Sequence, residues 1–239
     1  MTGTFINIVT VLLGGFLGLL FGGRVPERIK QTITAGLGLF TAVIGIKMFF
    51  ETQNAIIVLG SLLVGGLLGE WWKIEAGLES VGKWLEQRVY RKQETGPASR
   101  RSLDFVRGFL TASLLFCVGP MTILGSIQDG LTGNYELLAI KSVLDGFAAL
   151  AFASTLGAGV LFSTLVILVY QGGISLLAAH LNSILTETMI AEMTAAGGVL
   201  LVGIAISSLL ELKKIRVGNF LPALALAPII VWIVERLQF

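Results

Sequence analysis

Apolar runs about as long as a membrane is thick, separated by short polar breaks, follow one another from the start of the chain to its end. A bilayer core of about 30 Å needs about 20 mainly apolar residues in helical form. Eight segments answer to that pattern: residues 3–22, 31–50, 54–72, 103–124, 135–154, 158–179, 195–210 and 220–234. The fourth is interrupted at Gly119 and Pro120, and the fifth carries Lys141 and Asp145. The seventh and eighth are short or flanked by polar residues. The pattern predicts an all-α, polytopic bundle of about eight spans with a broken fourth helix. Seven crossings with one re-entrant segment is the alternative.

Between the third and fourth runs the period changes. Ile74, Leu78, Val81, Leu85 and Val89 fall three or four residues apart, on one helical face, with Glu75, Glu79, Lys83, Glu86 and Arg88 on the others. This predicts an amphipathic helix in the membrane interface. The Gly- and Pro-containing stretch 94–99 then reads as a linker. The organisation expected is a three-span unit at 1–72, a basic connection at 73–102 and a five-span unit at 103–239.

Composition sharpens the class. Of 239 residues, 54% are hydrophobic and only 13% charged, about half the charge of a soluble domain, and the mean hydropathy is +0.86. A water-soluble domain is excluded, and so is disorder, which needs low hydrophobicity. A net charge of +2 is too small for a nucleic-acid partner. The lone Cys117 and lone His180 leave no internal disulfide, no Cys/His metal cluster and no cofactor to expect.

The placement of charge gives an orientation. Arg24, Arg28 and Lys30 follow the first run. Lys73, Lys83, Arg88, Arg91, Lys92, Arg100 and Arg101 fill the long connection, and Lys213, Lys214 and Arg216 follow the seventh run. The alternate loops hold Glu51, then Asp129 and Glu136, then Glu187 and Glu192, without Lys or Arg. The positive-inside rule then places both termini outside. The first run lacks the basic start and cleavage pattern of a secretory signal. Trp71, Trp72 and Trp84 beside the basic connection, and Trp232 at the other face, fit interfacial belts.

Two regularities concern packing. Gly14, Gly18 and Gly22, and again Ser61, Gly65 and Gly69, recur every four residues and make smooth stripes for close helix approach. They serve either packing within one subunit or a seam between copies in a homo-oligomer. Glu70-x-x-Lys73-Ile74-x-x-Gly77 also reappears as Glu211-x-x-Lys214-Ile215-x-x-Gly218, readable as a parallel internal repeat in which the first four spans match the last four.

The chemistry gathers in the second half. Proline and glycine at 119–120 break a helix at membrane depth, tolerated only where protein or a watery cavity satisfies the freed backbone. Ser126, Gln128 and Asp129 follow, with Asp129 near an entrance. Lys141, Ser142 and Asp145 follow on the fifth span. Lys141 and Asp145 share a face, roughly 9 and 15 Å from the span's start. Gln171 interrupts the sixth span roughly 20 Å from its cytoplasmic end. Intramembrane ionisable residues are functional candidates by default. Asp145 would supply a negative ligand or proton carrier, and Lys141 would compete for it. Gln171 and the carbonyls freed near Gly119 and Pro120 would complete the coordination. Asn7 and Asn219 are read as hydrogen-bonding between helices.

Several stretches here resemble one family: residues 3–7, the Gly14-Gly15 to Gly18 run, 116–130, Lys141-Ser142-Val143-Leu144-Asp145-Gly146, Gln171-Gly172 and Asn219-Phe220-Leu221-Pro222-Ala223. The family is the bacterial membrane-protein family of domain of unknown function 554, the YdfK/YqgA-like proteins. The resemblance runs over nearly the whole chain and implies a bacterial inner-membrane location. Members are often labelled transporters.

No phosphate loop, paired-histidine motif or Ser–His pairing supports enzyme chemistry. The expectation is a transporter or channel-like permease for an ion or small polar solute. The rival is a structural or regulatory membrane module assembling through the glycine stripes.

Overall fold

The structure is a computed structural model, and it describes residues 1–22, 26–89, 98–117 and 119–237. Arg24, Arg91, Lys92 and the linker positions 94–97 lie outside the described residues. Eleven α-helices are present among those described: α1 (Thr2–Gly22), α2 (Glu27–Phe49), α3 (Ala55–Trp72), α4 (Ile74–Val89), α5 (Ala98–Cys117), α6 (Pro120–Thr132), α7 (Glu136–Leu156), α8 (Gly159–Leu176), α9 (Ala178–Ile184), α10 (Glu187–Ile204) and α11 (Pro222–Leu237). A π turn at Ala205–Leu209 prolongs α10, and a 3₁₀ turn at Val217–Phe220 precedes α11.

Among the described residues seven helices are long and apolar enough to cross a membrane, and α5 with α6 forms an eighth candidate bent by 62°. The seventh predicted run began at residue 195, whereas α10 begins at Glu187. Thr186 caps that helix by accepting from Met189 N, a signal hidden among polar residues that read as loop.

The chain forms two compact units. The first comprises Met1–Ala35, Leu78–Cys117 and Met121–Leu181, and the second Gly36–Gly77, Val118–Pro120 and Asn182–Phe239. Each unit joins early and late stretches of the chain, because early helices find their close partners late.

In the first unit, Gly14, Gly18 and Gly22 of α1 lie against the carbonyls of Gly146, Leu150 and Ser154 of α7. Both chains advance together from contact to contact, so α1 and α7 run parallel. The buried stripe of α1 is Gly3, Asn7, Val11, Gly14, Gly18 and Gly22. Its opposite face exposes Phe5, Val9, Leu12, Phe16 and Leu20, which suits hydrocarbon rather than water. α5 packs Phe105 against Gly159, and Gly108 against Leu156, at the end where Gly22 meets Ser154. α6 reaches Gly3 at the other end. The bent pair thus runs from the Gly22 end of this unit to its Gly3 end, as a broken span would. At the bend, Thr122 Oγ1 donates to the freed Phe116 carbonyl at 3.3 Å, and Gly119 takes φ +144°, open to glycine.

α4 occupies the predicted residues, but its face is used differently. Leu85 is buried with Phe105, Val106 and Phe109 of α5, whereas Val81 and Trp84 remain exposed. A glycine, Gly82, lets the two helices close up against Phe109.

In the second unit α3 packs antiparallel to α11, with Gly65 against Ala223 and Gly69 against the Asn219 carbonyl. Gly45 of α2 and Gly198 of α10 each meet the other's carbonyl, again antiparallel, since Gly38 meets Leu210. The parallel α1–α7 pair and these two antiparallel pairs all agree with eight alternating crossings. The core holds Val58, Ala195, Ala196 and Ala227. The two copies of the Glu-x-x-Lys-Ile sequence have different backbones here. Lys73 takes the left-handed conformation in the first and Glu211 in the second.

Candidate functional site

The glycine stripe of α1 sets the site. Because Gly14, Gly18 and Gly22 let α1 lie on the α7 backbone, the same stripe about two and three turns earlier brings Asn7 and Thr4 to α7 and α8. Asn7 Nδ2 donates to Asp145 Oδ2 and to Gln171 Oε1, both at 3.0 Å. Gln171 Nε2 donates to Thr4 Oγ1 at 3.3 Å. Lys141 Nζ donates to the same Asp145 Oδ2, one turn away on α7. Thr4, Asn7 and Gln171 are fully enclosed, and Lys141 and Asp145 are 6% and 9% exposed. Asp145 lies roughly 14 Å into α7 at 1.5 Å per residue, near the middle of a 30 Å core.

The structure thus joins Lys141, Asp145 and Gln171 of the predicted constellation and adds Asn7 and Thr4 from α1. Asn7 had a legible signal: it shares the stripe of Gly3, Gly14 and Gly18, so the residue at that position had to face a close neighbour. None of the other six predicted residues joins these bonds. Ser142 is buried but turns its hydroxyl back to the Leu138 carbonyl of its own helix at 2.6 Å. Gln128 is exposed. Gly119 and Pro120 group with the second unit, and the Phe116 carbonyl freed at their break is taken by Thr122. That carbonyl is therefore satisfied locally.

Asp129 is a correction of another kind. Read as a loop acid near an entrance, it is buried in α6. Its Oδ2 accepts from Gly3 N at 3.0 Å and lies 3.1 Å from the Met1 amino group. Negative charge at the start of a helix is favourable, and Thr122, Ser126 and Asp129 share the buried face of α6. Ser126 Oγ and Asp129 Oδ1, both enclosed, have no hydrogen-bond partner.

The second unit repeats this device with Glu192, likewise read as a loop acid and here fully buried in α10. Its carboxylate accepts from Thr52 Oγ1 at 2.6 Å, Gln53 N at 2.8 Å and Asn54 N at 2.9 Å, at the start of α3. The other end of α3 carries a polar joint. Glu70 pairs with Arg216 and accepts from Asn219 Nδ2 at 2.6 Å. Glu75 N donates to Asn219 Oδ1 at 2.8 Å, and Gly218 N donates to Glu75.

Both small-residue stripes are occupied inside the chain. Gly14, Gly18 and Gly22 are covered by α7. Gly65 and Gly69 are covered by the start of α11, and Ser61 is fully buried on the same face. Among the described residues no three His, Cys, Asp or Glu side chains gather as a metal site. A cleft of about 210 Å³ lies at the C-terminal ends of α1 and α7, lined by Lys30, Asp104, Ser154, Thr155 and Gly157 among others.

The family described as "Protein of unknown function (DUF554)" matches residues 2–232. Over 226 residues the chain is 35% identical to the "Uncharacterized protein YqgA" of Escherichia coli (strain K12), covering 94% of each chain. Over 240 residues it is 29% identical to the "Uncharacterized membrane protein YdfK" of Bacillus subtilis (strain 168), covering 98% of this chain and 97% of that one. No solved structure matches.

Proposed function

The chain belongs to the DUF554 family of membrane proteins, and from that premise we propose that it is a transporter or channel-like permease for an ion or small polar solute. It works in the bacterial inner membrane with both termini outside, the orientation supported by the clustering of Lys and Arg in alternate loops. The observation that carries the reading is the Asp145 carboxylate, held at mid-span by Lys141 of its own helix and Asn7 of another.

A charge at the centre of a span costs about 2.5–3.5 kcal/mol on insertion scales. A buried ion pair can often be replaced by apolar residues without loss of stability, so structure alone gives little reason for one. A pair of this kind suits competition: a visiting cation or proton and the Lys141 ammonium contend for Oδ2, while Asn7 keeps the carboxylate in place. Two further features favour a route through the first unit. Unpartnered oxygens of Ser126 and Asp129 stand toward the N-terminal end of α1, and the polar cleft opens at its C-terminal end. The rival module would assemble through stripes that α7 and α11 already fill.

Reconstitution in liposomes tests this. Flux of alkali cations, protons and small polar solutes should appear with the wild-type chain and fall at least tenfold with Asp145→Asn, about 1.4 kcal/mol or more in the barrier. Equal flux in the two proteins would remove Asp145 from the mechanism and end the reading.

A further inference from the structure

Six enclosed oxygen atoms of the first unit have no hydrogen-bond partner: two of them, Thr111 Oγ1 and Ser113 Oγ, are on α5, and the other four are Asn7 Oδ1, Ser126 Oγ, Asp129 Oδ1 and Ser175 Oγ. Buried polar atoms are nearly always satisfied, so each such orphan calls for an occupant. These four are linked by contacts rather than scattered. Ser126 and Asp129 are one turn apart on the buried face of α6. The other oxygen of Asp129 bonds Gly3 N, one turn before Asn7 on α1. Asn7 bonds Gln171, one turn before Ser175 on α8. The carbonyl of Ser175 in turn lies against Gly130, the neighbour of Asp129. Contacts therefore close a ring through α6, α1 and α8.

The chemistry of the four is uniform. One carboxylate, one amide and two hydroxyl oxygens are hard donors, the set that hard cations take in place of water. No nitrogen is among them, which disfavours a softer transition metal. They carry one formal negative charge, shared with the Met1 amino group at Oδ2, which suits a monovalent cation better than a divalent one. The Met1 amino group neighbours Oδ2 but is 32% exposed to solvent, whereas Oδ1 is sealed.

We propose that a small alkali cation of the sodium class binds between α1, α6 and α8, with Asn7 Oδ1, Ser126 Oγ, Asp129 Oδ1 and Ser175 Oγ as its protein ligands. The inference rests on the transport reading for its purpose: it names the substrate or coupling-ion class and a loading site linked to Asp145 through Asn7. Asn7 joins the two, since its oxygen faces the cation while its nitrogen holds Asp145. Filling the site therefore fixes the amide that positions the carboxylate.

The test is thermal unfolding of the purified full chain in detergent, followed by tryptophan fluorescence. NaCl, LiCl and KCl are compared with N-methylglucamine chloride at constant ionic strength. Sodium should raise Tm saturably, by about 2–4 °C at concentrations several times the dissociation constant. Ser126→Ala, Ser175→Ala and Asp129→Asn should each weaken the apparent sodium affinity by about tenfold or more. Ser142→Ala, whose hydroxyl serves its own helix, should leave the shift intact. If Asp129→Asn does not fold, the two serine variants carry the test. Equal Tm in every salt would mean that ordered water fills the site and would overturn the proposal. No cation shift in a protein whose flux depends on Asp145 overturns this site alone. A cation shift that the serine variants abolish, in a protein that moves no solute, supports the site and overturns the transport reading.

Discussion

Asn7 on α1 and Asp145 on α7 are joined by a 3.0 Å hydrogen bond across 138 residues of sequence, between two helices that run side by side in the same direction. The same amide nitrogen also donates to Gln171 of α8, so one side chain ties three spans together. Asn7→Leu should remove both donations at once. It would leave the Gln171 carbonyl enclosed and unpaired, a penalty of about 1–3 kcal/mol. For a chain of this size the expected fall in Tm is about 2–4 °C per kcal/mol. A Leu variant as stable as wild type would mean that the amide is not the tie between these helices.

The Lys141–Asp145 pair can be dissected separately from its use in transport. Asp145→Leu strands a buried ammonium, and Lys141→Met strands a buried carboxylate. Breaking one side of such a pair costs about 3–5 kcal/mol. The double variant removes both charges and should be much less destabilised than the sum of the singles. Unfolding midpoints of the four proteins complete the cycle. Additivity within about 0.5 kcal/mol would show the two charges to be uncoupled. Flux through the double variant should still be absent although it folds, because the carboxylate is gone.

How much of this was readable beforehand depends on distance along the chain. Lys141 and Asp145 face one another because helical geometry alone aligns residues four apart, so their pairing was legible. The bend at Gly119 and Pro120 was legible for the same local reason. That α1 had a close neighbour followed from Gly14, Gly18 and Gly22. That the neighbour was α7, in parallel register, did not, since nothing local in either helix records which backbone fills a smooth stripe. Asp129 and Glu192 were misread for the same cause. Each looks like a loop acid between apolar runs, and each is buried because the start of a distant helix, α1 or α3, needs an acceptor. Thr4 gave no signal at all, being a small hydroxyl whose partner lies 167 residues away.

Close approach along the α1 stripe makes a paired prediction on glycine. A Cβ at Gly14 would collide with the Gly146 carbonyl, whereas one at Gly36 in α2 meets no atom within 4 Å. Gly14→Ala should therefore force α1 off α7 and cost about 1–3 kcal/mol, as overpacking does. Gly36→Ala should stabilise by up to about 1 kcal/mol, because alanine is the better helix former. Opposite shifts in Tm are expected. Equal effects would mean that the stripe is not in contact with the α7 backbone.

Glu192 gives the sharpest test of the second unit, because its two oxygens have different partners. Oε1 accepts from the backbone of Gln53 and Asn54, and Oε2 accepts from the Thr52 hydroxyl. Glutamine can keep the first oxygen for both backbone donors, and the Thr52 hydroxyl can turn to accept from the new amide. Glu192→Gln should then lose only the charge assistance, about 1 kcal/mol. Alanine leaves the Gln53 amide and the Thr52 hydroxyl without an acceptor at the start of α3, with the Asn54 amide keeping only Thr52 Oγ1, and should cost about 2–4 kcal/mol. Hydrogen exchange reads the site directly: the Gln53 and Asn54 amides should exchange much faster in Glu192→Ala and little faster in Glu192→Gln. Matching exchange and matching Tm in the two variants would mean that the carboxylate does not hold this helix start.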